Sequence, residues 1–170
     1  LAKTVVNPEC LLTTPWDMMA NQIIEEHRTR RHGSCGIGIN ETVERNIRKE
    51  FGLTLSDALS LGRDDLVSFL RSTRDTYYPV RLARFGVQEV PERHAFTDDG
   101  GIERSLDDLR FFTGATIRAS GDILARYDNV IFEGAQGLML DQSHADFPHV
   151  TRSNTGSTNV RELLQGADFQ

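Results

Sequence analysis

Apolar positions along this chain recur mostly at helical spacing, with a few short unbroken apolar runs between them. Thr14-Pro15 signals the first helix, a capping hydroxyl followed by proline at the first helical position. Trp16, Met19, Ala20, Ile23 and Ile24 then share one face, predicting a helix to about Arg30. A short helix is predicted over 43–51 with Asn40 as its cap, and another over 55–61, capped by Thr54 or Ser56 and stopped by Gly62. Leu66, Phe69, Leu70, Thr73 and Tyr77 mark one face of a longer helix over 64–84, which Pro79 should kink or end near Tyr78. Ser105, with Asp108 three places on, opens the longest predicted helix, whose stripe runs from Leu109 to Tyr127. A last helix is expected over 158–164, with Thr155 or Ser157 near its cap. The apolar runs Val5-Val6 and Cys10-Leu11-Leu12 read as strand ends around an Asn7-Pro8 turn, and 85–90 as a short strand. Val130-Ile131-Phe132 has the size and composition of a strand buried on both faces. A helix leading into such a strand is the step from which parallel α/β sheets are built.

That run ends at a turn bracketed by Gly134 and Gly137, and open parallel sheets bind ligands outside the carboxyl ends of their strands. Gln136, inside the turn, offers an amide that donates and accepts at once, which suits a purine edge. Thr151, Ser153, Asn154 and Thr155 supply hydroxyls and amides just before the last helix, where free backbone N–H groups suit a phosphate. The stretch 32–39 carries Gly33, Gly36 and Gly38 with Ser34, and reads either as a plain turn or as a nest of N–H groups for a phosphate. The basic run 27–32 before it reads as favourable charge at a helix C-terminus, or as help in drawing an anion to the loop. Asp141, His144, Asp146 and His149 lie close together, but fit neither an H-E-x-x-H helix nor an EF-hand loop, and read as turn and surface groups. Asp98-Asp99 reads as an exposed acidic turn, and His32, Ser34 and Cys35 have no acid–base partner identifiable by spacing.

Phe132 through Asp141 spells F-E-G-A-Q-G-x-x-L-D, and His144, Pro148 and Val150 through Thr155 continue it as H-x-x-x-P-x-V-T-x-S-N-T. The whole resembles the central signature of adenylosuccinate synthetases, with the same internal spacing and no gap. Gly33-Ser34-Cys35-Gly36-Ile37-Gly38 resembles the family's T-T-G-R-G-I-G loop more loosely. The family's second threonine, a ligand of the monophosphate, aligns with Gly33 and its arginine with Cys35; Ser34 offers a hydroxyl one place along. The resemblance implies a P-loop-NTPase-like parallel sheet flanked by helices, of which this chain holds a helix-rich central portion. The family's G-D-E-G-K-G-K phosphate loop, later arginine-rich loop and T-K-x-D segment are missing from these residues. Residues 1–170 therefore read as the central part of a longer, incomplete domain.

Such enzymes move the γ-phosphate of GTP onto the 6-oxygen of IMP, and the amine of L-aspartate then displaces it, with Mg²⁺ neutralising developing charge. The family's general base and acid lie in the missing amino-terminal segment, so no catalytic residue is expected here and the chain alone is expected to be inactive. The resemblance places Gln136 at the purine near the reacting oxygen. Thr151, with Ser34 or the backbone N–H groups of Gly33 and Gly36, falls at the 5′-phosphate, and Glu133 orders the turn. In the family an arginine about ten residues after the glycine loop serves the partner subunit of a homodimer; Arg48 or Arg45 fills that place here. Two further readings stay open: a relative acting on another purine monophosphate, such as guanylate, and a non-catalytic homologue serving as an interaction module.

Composition narrows the classes without changing this picture. Net charge −6 and a pI near 5.3 argue against nucleic acid as the main partner. No apolar run is long enough to span a membrane, and the amino end lacks a signal peptide's apolar core. Cys10 and Cys35 form no C-x-x-C pattern, so a reducing, cytoplasmic setting is expected.

Overall fold

The computed structural model describes residues 4–31, 33–90, 96–143 and 149–165. They fall into two compact units, one of Glu9–Ala115 and one of Leu1–Pro8 with Thr116–Gln170.

The unit Glu9–Ala115 is helical. Its first helix, α1 (Pro15–His27), starts in a capping box: the Thr14 hydroxyl accepts the Asp17 N–H, and the Asp17 carboxylate accepts the Thr14 N–H at 2.8 Å. α1 ends at His27, short of the predicted Arg30, because Arg28 turns to an extended conformation. α2 (Ile39–Ile47) begins ahead of the predicted start, and its cap is Gly38 rather than Asn40. Asn40 lies inside the helix, where its amide donates to Glu41. α3 (Leu55–Ser60) repeats the capping box with Thr54 and Asp57, which selects Thr54 over Ser56.

α4 (Arg63–Ser72) and α5 (Tyr78–Ala83) are joined by a single π turn, Thr73–Tyr77. Pro79 lacks an N–H, and its ring would press on the carbonyl four residues back. The wider π turn directly ahead of it absorbs that conflict, so the expected kink takes the form of a bulge. Residues 85–90 turn rather than extend: Phe85 N–H bonds back to Leu82 O, and Gly86 adopts φ +78°. α6 (Gly100–Ala115) is the longest helix, but starts before Ser105 and stops well short of Tyr127. Ser105 does not cap it; its hydroxyl donates to Gly101 O one turn back.

The core of this unit gathers faces that the pattern marked, Trp16, Ile23 and Ile24 from α1 and Leu66 and Leu70 from α4, and adds Tyr78 and Leu82 from α5, which it did not mark. Trp16 is fully buried and settles its indole N–H on Phe96 O at 2.9 Å.

The other unit holds β1 (Val5–Val6), which pairs in parallel with β2 (Ile117–Arg118). It also holds a 3₁₀ turn over Gly121–Arg126 and a last short helix, α7 (Thr158–Leu164). One parallel pair among many helices gives a helix-rich α/β chain. The strand expected at Val130-Ile131-Phe132 does not form: these residues are irregular, and Ile131 is 93% exposed. A strand buried on both faces takes its shape from neighbours on both edges, and no described residue lies in register with this run.

Candidate functional site

The glycine loop after α1 is built by α1 itself. Asn21 and Gln22, with Glu25 about one turn further on, present side chains to it. The Gly33 N–H donates to Glu25 Oε1 at 2.7 Å, and the Ser34 hydroxyl donates to Asn21 Oδ1 at 2.8 Å. The Gly36 N–H reaches the Ser34 oxygen at 3.3 Å, while Gln22 holds the Gly36 carbonyl. Gly33, Gly36 and Gly38 all have positive φ. At Gly38 a side chain is also barred by space, since a Cβ there would lie 2.7 Å from the Asp17 carbonyl carbon. The loop thus has the backbone shape of a nest, with its Gly33 and Gly36 N–H groups engaged internally.

The two candidate arginines on α2 and its end have opposite surroundings. Arg45 is fully buried. Its Nε and Nη2 donate to Asp17, with Nη2 at 3.0 Å from Oδ2, and Nη1 and Nη2 also donate to the carbonyls of Phe51 and Leu12. Tyr78 Oη donates to the same carboxylate at 2.6 Å. Burial opposes the Arg45 charge, yet Asp17 beside it outweighs that and holds the guanidinium above its ordinary value. Burial, reinforced by the Asp17 charge, pushes the Tyr78 hydroxyl well above the tyrosine range. Every donor direction of Arg45 points into the protein, so it ties α1 to α2. Arg48, by contrast, is exposed, and its guanidinium lies 6.0 Å above the Tyr77 ring.

In the other unit, Gln136 and Thr151 are half-buried members of one folded motif. The Thr151 N–H donates to Leu140 O at 2.8 Å, and the Gln142 N–H donates to Ser153 O. Thr155 Oγ1 donates to Gly137 O, one residue from Gln136. Asp141 joins the two halves. Oδ1 accepts from the N–H and hydroxyl of Ser143, and Oδ2 from the N–H groups of Thr155 at 2.7 Å and Gly156 at 3.4 Å. The backbone N–H of Thr155, expected to be free for a phosphate, is therefore taken by Asp141. Asp141 is the carboxylate that bonds across this motif, and Glu133 is exposed. The side chains of Gln136 and Thr151 make no hydrogen bond with the described residues, which leaves both available.

Hydrogen bonds from Ser143, then Thr155 and Gly156, hold the Asp141 carboxyl well below the usual carboxylate range. A carboxyl depressed on folding stabilises the fold fully above its unfolded value of about 4, and that contribution is lost as pH falls through the lower folded value. The amide resonances of Thr155 and Gly156 are therefore expected to stay fixed from pH 7 to about 4 and to move only below it. Movement between pH 5 and 7 would rule out this bonding.

The family model for adenylosuccinate synthetase matches residues 2–167. The chain belongs to the adenylosuccinate synthetase family. It is 31% identical to the adenylosuccinate synthetase of Chromohalobacter salexigens over 151 residues, 88% of this chain and 34% of that protein. The enzyme of Methylococcus capsulatus is 32% identical over 162 residues, 90% of this chain and 34% of that protein. The one of Actinobacillus succinogenes is 28% identical, covering 98% of this chain and 37% of that protein. The chain thus spans about a third of the length of these relatives.

Adenylosuccinate synthetase membership places the chain in a ligase family of purine biosynthesis. It also raises the question of Mg²⁺. Among the described residues no three His, Cys, Asp or Glu side chains converge as ligands. Asp141 has both oxygens engaged by N–H and O–H donors, and Asp99 is committed to Arg71 and Arg74. His144, Asp146 and His32 lie outside the described residues. The described donors do not fit a Mg²⁺ site. Both cysteines are exposed thiols, and no helix of the described residues is long and apolar enough to cross a membrane.

Two side chains that hold the candidate site's backbone escaped the sequence reading. Asp141 stood there as a turn and surface group, and its pairing with backbone fourteen residues on has no local signal beyond its place at the end of the F-E-G-A-Q-G-x-x-L-D run. Glu25 carried no signal at all, since it looked like any polar residue near a helix end.

Proposed function

We propose that this chain is the monophosphate-binding centre of an adenylosuccinate synthetase, within a longer P-loop-NTPase-like domain of which residues 1–170 are the central part. The reading is carried by the two halves of the signature, Phe132–Asp141 and Val150–Thr155, being tied into one motif through Asp141 with Gln136 and Thr151 left unspent. Gln136 offers its amide to the purine beside the 6-oxygen, where it can donate to the oxygen that takes the phosphoryl group of GTP. The amine of L-aspartate then displaces that phosphate, giving adenylosuccinate, GDP and inorganic phosphate. Thr151 offers a hydroxyl to the 5′-phosphate. For Ser34 and the N–H groups of Gly33 and Gly36 to hold an anion, Glu25 and Asn21 must first release them. Arg48, exposed where Arg45 is sealed in, is the arginine that would reach a partner in a homodimer. The apolar Val130–Phe132 run becomes a central strand once flanking strands of the longer domain cover it. The setting is the cytoplasm, where IMP, GTP and aspartate meet.

The glycine loop favours one second reading. Its departure at Gly33–Cys35, with the Glu25 carboxylate where a phosphate ligand was expected, fits a relative acting on another purine monophosphate such as guanylate. Assays of the intact protein with aspartate, GTP or ATP, and either IMP or dGMP separate the two. Turnover of neither monophosphate overturns both. Gln136→Leu in the intact protein should lower kcat/KM by about ten- to a hundredfold, the cost of leaving a buried substrate oxygen unpaired. An unchanged rate removes Gln136 from the purine site.

A further inference from the structure

We infer that Asp141 is a positioning residue for the monophosphate site, its carboxylate acting as a crossbar that holds the Thr151 arm against the Gln136 turn. The inference rests on the monophosphate-binding reading above. Four N–H or O–H donors converge on this one side chain from two sides, Ser143 on Oδ1 and Thr155 with Gly156 on Oδ2. Only an acceptor without donors of its own can serve both groups at once, and an ionised carboxylate is such a group. Thr155 is the shared point: its N–H goes to Asp141 while its hydroxyl goes to Gly137 O at 3.1 Å, next to Gln136. The arm is then tied at its other end by the Thr151 N–H on Leu140 O. A Cβ at Gly134 would lie 3.4 Å from the Thr155 carbonyl oxygen, so the glycine turn sits directly on the arm. Removing the crossbar leaves the backbone bonds at Thr151 and Ser153, but frees the end that meets the turn. The distance between the purine contact and the phosphate contact is then no longer fixed, and a ligand must pay for fixing it.

An asparagine keeps the size of Asp141, but turns an NH₂ toward one of the two donor groups, so it can hold only one side. The test uses the intact protein with Asp141→Asn and Asp141→Ala, read by amide hydrogen exchange of peptides spanning 150–157 and by steady-state kinetics. Exchange in that segment is expected to quicken at least about tenfold in the alanine variant, with α1 peptides unchanged. KM for the monophosphate should rise about tenfold, while KM for GTP stays put and kcat falls less than KM rises. The asparagine variant should fall between, and is the one to read if the alanine variant exchanges throughout. Unchanged exchange over 150–157 overturns the crossbar. Quickened exchange with an unchanged KM overturns its role in positioning. A wild-type protein that binds neither IMP nor dGMP overturns the monophosphate reading and the positioning role together, and exchange alone then decides whether the crossbar exists.

Discussion

Replacing Arg45 with methionine is expected to lower the unfolding free energy by about 3–5 kcal/mol, the cost of stranding one member of a buried ion pair. Neither side chain of the Arg45–Asp17 pair is exposed at all. Methionine fills much of the arginine's volume, so the loss comes mainly from the charge left on Asp17 and from the carbonyls of Leu12 and Phe51 that lose their donors. Asp17 cannot turn to water, because the N–H and hydroxyl of Thr14 hold one oxygen and Tyr78 holds the other. Adding Asp17→Asn to the methionine variant should recover part of the loss, since a neutral amide is far cheaper to bury than an unpaired carboxylate. Urea unfolding of the three proteins measures this directly. A loss below about 1 kcal/mol would mean that Arg45 is not the counter-ion on which this core depends.

The contrast between Arg45 and Arg48 also shows what the sequence could and could not reveal. Both lie near the end of one short helix, and each reads locally as a solvated arginine or as a ligand for a partner's phosphate. What separates them is Asp17, 28 residues earlier, and no local pattern announces a pairing at that distance. The cap at Thr14, and Thr54 as one of the two caps offered for α3, were legible for the opposite reason. A capping box is complete within four residues, so its chemistry is already written in the local sequence. The family signature was legible because so many letters recur at fixed spacing, although the carboxylate organising it was not singled out. Val130–Phe132 stays irregular here because a run of apolar residues becomes a strand only beside other strands. The long helix expected to reach Tyr127 failed similarly: its apolar stripe continued past Gly114, where glycine weakens a helix, and Ile117 went instead into a parallel pairing with Val5.

The glycine loop offers a second large effect, and it separates two reasons for a glycine. Gly38→Ala should cost about 2–5 kcal/mol, combining the penalty of a left-handed residue with that of overpacking. Gly38 adopts φ +84°, and its Cβ would meet the backbone carbon of Asp17 and the nitrogen of Met18, both at 2.7 Å. Backbone cannot rotate aside as a side chain can, so α1 and the start of α2 would have to part. That movement also strains Thr42, whose N–H and hydroxyl both rest on the Gly38 carbonyl. Gly33 has nearly the same φ, +76°, but nothing within 4 Å of the added atom. Gly33→Ala should therefore cost only the conformational penalty, about 1–2 kcal/mol. Parallel urea titrations of the two variants decide the matter. Equal losses would mean that the contact of Gly38 with α1 contributes nothing, and that the loop is set by dihedral preference alone.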